Sequence, residues 1–397
     1  MSYEIYDVVI VGAGIAGAVL ANLLAKKTSL SIALLDVQSP LFSFDSTGYS
    51  LRVSAINCRA VQVLHDLDCW SALQAQRVSP YTHMSVWDDS TIGKIDFDCV
   101  DVRLPALGYI VENELIQEVL LKALQGNSRV TCRWPVELVA FEEEHDGVLL
   151  KTKDERYLKA RLVIAADGAH SWVRKAAAIE SVEAPYDQIA IVATIKTAQP
   201  HQHTARQVFL PTGPLALLPL SDPQAHSIVW SCDVEKADRL LAMTDVEFCA
   251  ALSSAFDFHL GDVVSTSKRA SFPLTMRHAK DYVKPRLALV GDAAHTIHPL
   301  AGQGLNIAIA DVIELAHLIS DACQKGKPFY ADRLLRQYAR ARKAENTVIV
   351  KAMGGFKALF ASQLTPVMIA RSQGLRLFNR CSFIKKTFIK RAMGMIN

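Results

Sequence analysis

Apolar residues recur along this chain at two spacings, and the points where one spacing gives way to the other carry most of the information. Three short apolar runs, Val8–Val11, Leu162–Ala166 and Leu287–Val290, each end in Gly or Asp, pass through small residues and continue into helix-like sequence. Runs of that length, so bounded, predict strands buried on both faces of a mostly parallel sheet. After the first run, Ile15, Val19, Leu23 and Leu24 keep helical spacing; after the third, Leu305, Ile309, Val312 and Leu315 do. Between about residues 181 and 279 the pattern turns to alternation, as in QVFLPTGPLALLPL and HSIVWSCDV, which predicts half-buried strands. The segment from about residue 326 reads as helical. The expectation is an α/β chain whose parallel sheet is interrupted by a second, β-rich unit.

In an open α/β sheet, ligands gather at the carboxyl ends of strands, where helix N-termini present free N–H groups. Three such ends in one chain predict one extended ligand touched three times. The first is Gly12-Ala-Gly14-Ile-Ala-Gly17. Gly12 lets the chain turn, Gly14 lets backbone approach a pyrophosphate, and Gly17 lets helix pack on strand. A further apolar run, Ser31–Leu35, ends in Asp36, nineteen residues past Gly17. A carboxylate there accepts from an adenosine ribose and repels a 2′-phosphate. Strand, helix and acid together point to a dinucleotide rather than to a merely structural glycine turn, with FAD and NAD equal at this stage.

The third strand end separates the two. In RLALVGDAAHTIHPLAGQGLNIAIADVIELAHLI, Gly291 and Asp292 stand where strand meets helix, and a second glycine loop, Gly302 and Gly304, leads into the next helix near Leu305. FAD has a ribitol between its phosphates and its redox ring, and NAD has none. Asp292 is placed to accept from a ribitol hydroxyl. The helix starting near Leu305 aims its positive end at the flavin pyrimidine, where reduced flavin carries negative charge. An N-capping Asp in an ordinary connection explains Asp292 but not the second glycine loop. The middle strand end, Asp167-Gly168-Ala-His170-Ser171-Trp-Val-Arg174, suits turn and cap duty when taken alone.

GAGIAG, DGAHSWVR and GDAAHTIHPLAGQGLN resemble the three signatures of the class A flavoprotein monooxygenases, which share the para-hydroxybenzoate hydroxylase fold. LGYIVENELIQEVLLKAL (107–124), GPLALLPL (213–220), SIVW (227–230), FPLTMRHAKDY (272–282) and GLRLFNRCSFIKKTFIKRAMG (374–394) are similar to one branch of them, the ubiquinone-biosynthesis hydroxylases. The likeness runs over essentially the whole chain, and the Trp-x-Trp-x-Ile-Pro segment of the flavin halogenases does not occur. The resemblance implies that Gly12, Gly14, Gly17 and Asp36 hold the adenosine diphosphate part of FAD, Asp36 standing where the family usually has Glu. It implies Arg52 along the pyrophosphate or flavin, and Asn113 and Gln117 near the flavin edge. Asp167, Gly168 and Arg174 match a motif linked to both FAD and the nicotinamide donor. Asp292, following Gly291, would bind ribitol; Pro299 and the backbone of Gly302, Gly304, Leu305 and Asn306 would line the isoalloxazine. His295 and His298, the histidines of that loop, are candidates for moving a proton from a phenol, set against a structural hydrogen-bonding role.

The expected architecture is then α/β, of a two-domain α+β kind. A Rossmann-like FAD-binding domain (1–75, 100–180 and 280–325) is interrupted by a β-sheet substrate domain (76–99 and 181–279), and a basic helical segment (326–397) follows. A chain of 397 residues with 50% apolar and 21% charged residues suits two packed units and excludes a disordered chain. Eight scattered cysteines without Cys-x-x-Cys spacing read as reduced thiols, and His201 and His203 as part of a solvated loop rather than a metal site. The apolar stretch 8–25 is long enough for a membrane span, but its glycines and Asn22 argue against one. Charge is uneven: Ala331–Asn397 holds fourteen Lys and Arg against two acids within a net charge of +3. That excess reads either as a solvated face or as attraction to anionic lipid or an acidic partner. Nothing in the sequence points to nucleic acid.

With one dinucleotide fingerprint there is no second nicotinamide domain, so NADH or NADPH is expected to visit, reduce the flavin and leave. O2 then reacts with reduced flavin, and one oxygen passes to an electron-rich ring; neither a nucleophile nor a metal is needed. A polyprenylated phenol or quinol of ubiquinone biosynthesis suits an apolar pocket and a basic tail. The expected setting is the cytoplasm or the inner face of its membrane, beside other ubiquinone-biosynthesis proteins. Two rivals use the same cofactor motifs: a flavin dehydrogenase or reductase that does not hydroxylate, and a non-catalytic FAD-binding subunit of a lipid-synthesis complex.

Overall fold

A computed structural model describes residues 3–40, 48–296, 304–362 and 364–395. The apolar stretch at the start divides into a strand, Glu4–Val11, and a helix, Ile15–Lys27. Among the described residues, no helix is long and apolar enough to cross a membrane. Five strands form the heart of the first sheet, in the order Leu287–Leu289, Tyr157–Ala165, Glu4–Val11, Ile32–Leu35, Val130–Arg133. All five run parallel, and Leu289, Ala165, Val11, Leu35 and Arg133 stand level in one row. The chain therefore leaves four neighbouring strands at one edge, through Gly291, Asp167, Gly12 and Asp36. Two of these strands start earlier than their apolar runs, at Glu4 and Tyr157, because backbone pairing continues where the side chains are no longer enclosed. Val8, Val9, Ile10, Leu34 and Ile164 are fully buried beneath the helices Ile15–Lys27, Asn113–Leu124 and Gly304–Gln324.

The second sheet holds, in order, His295–Thr296, Ala270–Ala279, Ser181–Thr197, Ala225–Asp233, Gly213–Pro219, Thr204–Leu210, His83–Asp88 and Lys94–Asp98. Its first strand belongs to the Asp292 loop, so the loop is hydrogen-bonded into this sheet through Arg277↔Thr296 and His278↔His295. One face is covered by the helices Val234–Ala242 and Asp245–Ala255, around Ile191, Val208, Leu217, Ile228, Trp230 and Phe248. A small sheet of Val53–Ile56, Gly108–Glu112 and Ser79–Tyr81 lies against the other face. There Ala55, Tyr81 and Ile110 share a core with Ala205 and Leu218.

The tail forms three helices, Asp332–Ala361, Thr365–Arg380 and Ser382–Ala392. Arg371 grips Asp88 of the second sheet through two bonds of 2.8 and 3.1 Å, with both side chains buried, and Phe360 stacks on Phe209 at 3.8 Å. All eight cysteines are free. His201 corrects an expectation: it is buried, not solvated. Its Nε2 meets the carbonyls of Leu220 and Asp222 at 2.9 and 3.2 Å, and burial pushes its pKa down, while His203 is exposed. The turn that encloses His201 lies about twenty residues further on, beyond the reach of local composition. Among the described residues, no group of three His, Cys, Asp or Glu could hold a metal ion.

Candidate functional site

The first loop is built from two tight glycines and one open one. Gly12 has φ +109°, and a Cβ there would lie 2.3 Å from the Ala166 carbonyl oxygen; one on Gly17 would lie 1.9 Å from that of Gly12. Both therefore serve packing. Gly14, at the N-cap of helix Ile15–Lys27, would place a Cβ with nothing within 4 Å, so its side of the loop lies open next to unbonded helix N–H groups. Asp36 accepts from Ala13 N at 2.7 Å and from Gln38 N at 2.9 Å, and Gln117 Nε2 donates to Ala13 O at 2.8 Å. These two side chains hold the peptide groups on either side of the Ala13 Cα. Each Asp36 oxygen still has a lone pair for a further donor.

At the middle strand end, Asp167 Oδ2 accepts from Val173 N at 3.1 Å, while Oδ1 is buried without a partner among the described residues. Burial pushes the pKa of this carboxyl up, against the opposing hydrogen bond from Ser171. Gly168 takes φ +79° and turns the chain, and Ser171 caps the next helix by accepting from Arg174 N at 3.0 Å. Arg174 is 3% exposed and donates to Ala293 O at 2.7 Å and Ala169 O at 2.9 Å. Its guanidinium thus ties the middle loop to the Asp292 loop, and burial, then the nearby Arg277, push its pKa down. Arg277 braces the same carbonyl, Ala169 O, at 2.7 Å while gripping Glu183.

Asp292 has a different setting. Its side chain is accessible, yet protein surrounds it on most sides, as in a cleft. That enclosure raises its pKa, opposed by His295, Arg52 and Arg277. Arg52 is exposed, its carbonyl accepts from Asn113 N at 3.0 Å, and Asn113 Oδ1 in turn accepts from Ser54 at 2.7 Å. Behind Asp292, Gly291 N donates to Asp311 at 3.1 Å, and His295, 2% exposed, meets the same carboxylate oxygen through Nε2 at 2.5 Å. The other oxygen of Asp311 accepts from Arg342 Nε at 2.8 Å and Asn346 Nδ2 at 3.2 Å. Burial works to raise the Asp311 pKa, but His295, then Arg342, outweigh it and hold the carboxylate below its usual range.

Helix Gly304–Gln324 is fastened at its first turn by Asn306, which accepts from Asn57 N at 2.9 Å and donates to Ala55 O at 2.8 Å. Leu305 packs partly buried on the main core, and a Cβ on Gly304 would meet nothing within 4 Å among the described residues. His298, Pro299 and Gly302 lie outside the described residues. The remaining sequence-derived candidates thus stand along one edge of the parallel sheet or on segments bonded to it. Asp311, Arg342 and Asn346 were not among them. The one local sign was a carboxylate set in the apolar run LNIAIADVIELAHLI, with its partners some thirty residues later. The arrangement suits a long, anionic, hydroxyl-bearing ligand laid across three loops: open glycines and helix N–H groups for phosphates, Asp36 and Asp292 for hydroxyls.

Comparison with known proteins gives a consistent result. The family described as FAD binding domain matches residues 5–352. The 3-demethoxyubiquinol 3-hydroxylase of Escherichia coli (strain K12) is 35% identical over 395 residues, covering 100% of each chain. The mitochondrial ubiquinone biosynthesis monooxygenase of Mus musculus is 34% identical over 431 residues, covering 96% of this chain and 90% of its own. Among solved structures, p-nitrophenol 4-monooxygenase from Pseudomonas putida DLL-E4 superposes with a TM-score of 0.79 at 16% identity, covering 99% of each chain, a likeness of fold.

Proposed function

The chain belongs to the FAD binding domain family, and from that premise we propose that it is an FAD-dependent monooxygenase that hydroxylates an aromatic ring in ubiquinone biosynthesis. The observation that carries this reading is the single level row of strand ends, from which the Gly12, Asp167 and Gly291–Asp292 loops leave side by side. Its support from relatives is the pair of ubiquinone-pathway enzymes that match end to end.

FAD, when bound, supplies electron transfer and the activation of O2. The protein's part is to hold and shape. Gly12, Gly14, Gly17 and Asp36 take the adenosine diphosphate part, Asp292 the ribitol, and the first turn of helix Gly304–Gln324 the electron-rich edge of the reduced ring. The open sides of Gly14 and Gly304 fit close approach by a ligand. Arg174 acts as a strut between two of the loops, and Asp167 offers its unpartnered oxygen from the same edge. His295, enclosed and engaged by Asp311, positions the Asp292 loop rather than moving a substrate proton.

The substrate is a polyprenylated phenol or quinol, and the electron donor is NADH or NADPH, visiting without a domain of its own. The protein works in the cytoplasm at the inner face of a membrane, beside other enzymes of the pathway. Exposed Leu377, Phe383, Ile384 and Phe388 stand on the tail helices that carry Lys385, Lys386, Lys390 and Arg391, which favours an anionic lipid surface. The deciding experiment supplies NAD(P)H and a panel of prenylated phenols to the FAD-loaded protein. Oxygen uptake that depends on the phenol, with a product heavier by one oxygen, is expected. Donor oxidation at the same rate without phenol, and no oxygenated product, would make it a reductase; an inert protein would leave the scaffold reading. Flotation on anionic against neutral vesicles, at low and high salt, tests the membrane contact, with equal flotation on both leaving the basic tail as a solvated surface.

A further inference from the structure

Strand register assigns a role to a residue outside every motif. In the second sheet, Val86 pairs with Gln207, Gln207 with Ala216, Ala216 with Val229, and Val229 with Val192. Side chains directly opposite in a sheet point to the same face, so these five form one row, and Gln207 is its polar member. The row lies on the face turned away from helices Val234–Ala242 and Asp245–Ala255, because Val208, Leu215, Leu217, Ile228 and Trp230 take the helix-covered face. On one side of it, ~7 Å away, Ala205 and Leu218 share a core with Ala55, whose carbonyl accepts from Asn306 at the start of the flavin-facing helix. On the other side, Phe209 pairs with Pro214 and is covered by Phe360. The row is thus bounded by the flavin-side core at one end and the tail helix at the other.

Gln207 is 5% exposed, and its Oε1 is buried with no hydrogen-bond partner among the described residues. An unpaired carbonyl in an apolar row of small and medium side chains is a feature native interiors rarely keep without use. Among the described residues, Trp230 Nε1 and His226 Nδ1 are also unpartnered. They belong to the helix-covered side, Trp230 within its apolar core, on the face turned away from Ala55 and Asn306. Thr194 Oγ1 shares the face of Gln207 but stands three strand spacings away, ~14 Å, too far to meet the same ring.

We propose that Gln207 is a specificity-determining residue whose side-chain carbonyl accepts a hydrogen bond from the ring hydroxyl of the phenolic substrate. The neighbouring alanine and valines offer one apolar face to the ring, and the single acceptor fixes which way the ring turns, and so which carbon faces the flavin. The proposal rests on the hydroxylase reading above. A site built to pair a hydroxyl discriminates against a ligand that lacks it, because the acceptor is then left unpaired.

The test titrates the FAD-loaded protein with a short-chain 2-prenylphenol and with the same molecule lacking the hydroxyl, following binding by the flavin absorbance change. The wild-type protein is expected to bind the phenol about 10- to 100-fold more tightly than its deoxy analogue. Gln207→Leu, and Gln207→Met as the length-matched variant, should reduce that ratio to about threefold or less while keeping full FAD content. Retention of the wild-type ratio in both variants overturns the proposal and leaves the hydroxylase reading standing. A wild-type protein that binds neither ligand, and oxygenates no phenol, overturns both.

Discussion

Asp292 and Asp311 stand on one continuous segment, nineteen residues apart, and they spend their charge in opposite ways. Asp311 is 0% exposed and accepts from Gly291 N, His295, Arg342 and Asn346, so each lone pair has a donor. Asp292 is accessible, and among the described residues no donor holds its carboxylate. Burial alone would push both pKa values up. At Asp311 its partners His295 and Arg342 win and hold it low; at Asp292 enclosure wins and holds it high. The contrast is between a carboxylate consumed in fixing a loop and a carboxylate that the fixed loop presents. Stability is concentrated in the first so that the second can remain unpaired.

The largest expected effect comes from removing the consumed charge. Asp311→Ala leaves Arg342 and His295 without their carboxylate in the core, and breaking a buried pair on one side costs about 3–5 kcal/mol. Urea unfolding of the FAD-free protein should show that loss, and a loss under about 1 kcal/mol would mean that solvent reaches the network. Asp292→Ala should reverse the pattern. Unfolding of the FAD-free protein should change by less than about 0.5 kcal/mol. FAD affinity should fall about ten- to hundredfold, the worth of a hydroxyl bonded to a charged acceptor, ~1.5–3 kcal/mol. Flavin retained through gel filtration gives the reading, and full occupancy would detach Asp292 from the ribitol.

The pH dependence sharpens the contrast with smaller effects. Asp311 has a folded pKa below its unfolded value, so its contribution is present above about pH 4 and lost as pH falls through the lower folded value. Asp292 has a raised folded pKa, so its contribution is full below about pH 4 and lost as pH rises through the folded value. FAD-free Asp292→Asn should therefore be at least as stable as wild type at neutral pH, the difference shrinking on acidification. Asp311→Asn should be less stable at neutral pH, and its gap to wild type should also narrow in acid. Unfolding curves at three pH values suffice, and an Asp292→Asn variant clearly weaker than wild type at neutral pH would remove the functional cost assigned to that position.

The same pair marks how far the sequence can be read. The placing of Asp292 at a strand end was legible because its signal is local: an apolar run, a glycine and a carboxylate follow one another within a few residues. The Gly12 loop and Asp36 were legible for the same reason, and the sheet brings them to one edge. Asp311 was not, because a carboxylate in a helical stripe acquires its role only from Arg342 and Asn346, which a later helix delivers. Gln207 was hidden more deeply. Alternation identified its strand, but the row it belongs to depends on five-strand register and on a parallel pairing with His83–Asp88 that no local pattern encodes. His201 misled for a like reason, since a Pro-Gln-rich stretch reads as solvated until the turn at 220–222 folds over it. His298, Pro299 and Gly302 remain as the sequence read them, outside the described residues.

The clasp between Arg371 and Asp88 has a consequence in time. Its two halves are 283 residues apart, and at about 5–20 residues per second of synthesis the interval between them is on the order of 15–60 s. Throughout that interval the strand His83–Asp88 can pair with Thr204–Leu210 once the latter emerges, but Asp88 has no cation, and Phe209 has no Phe360 to cover it. A nascent chain therefore carries an open apolar wall ending in an uncompensated acid. Chaperone capture, or slow decoding ahead of the tail, would act on the wall that Phe360 and Arg371 later cover.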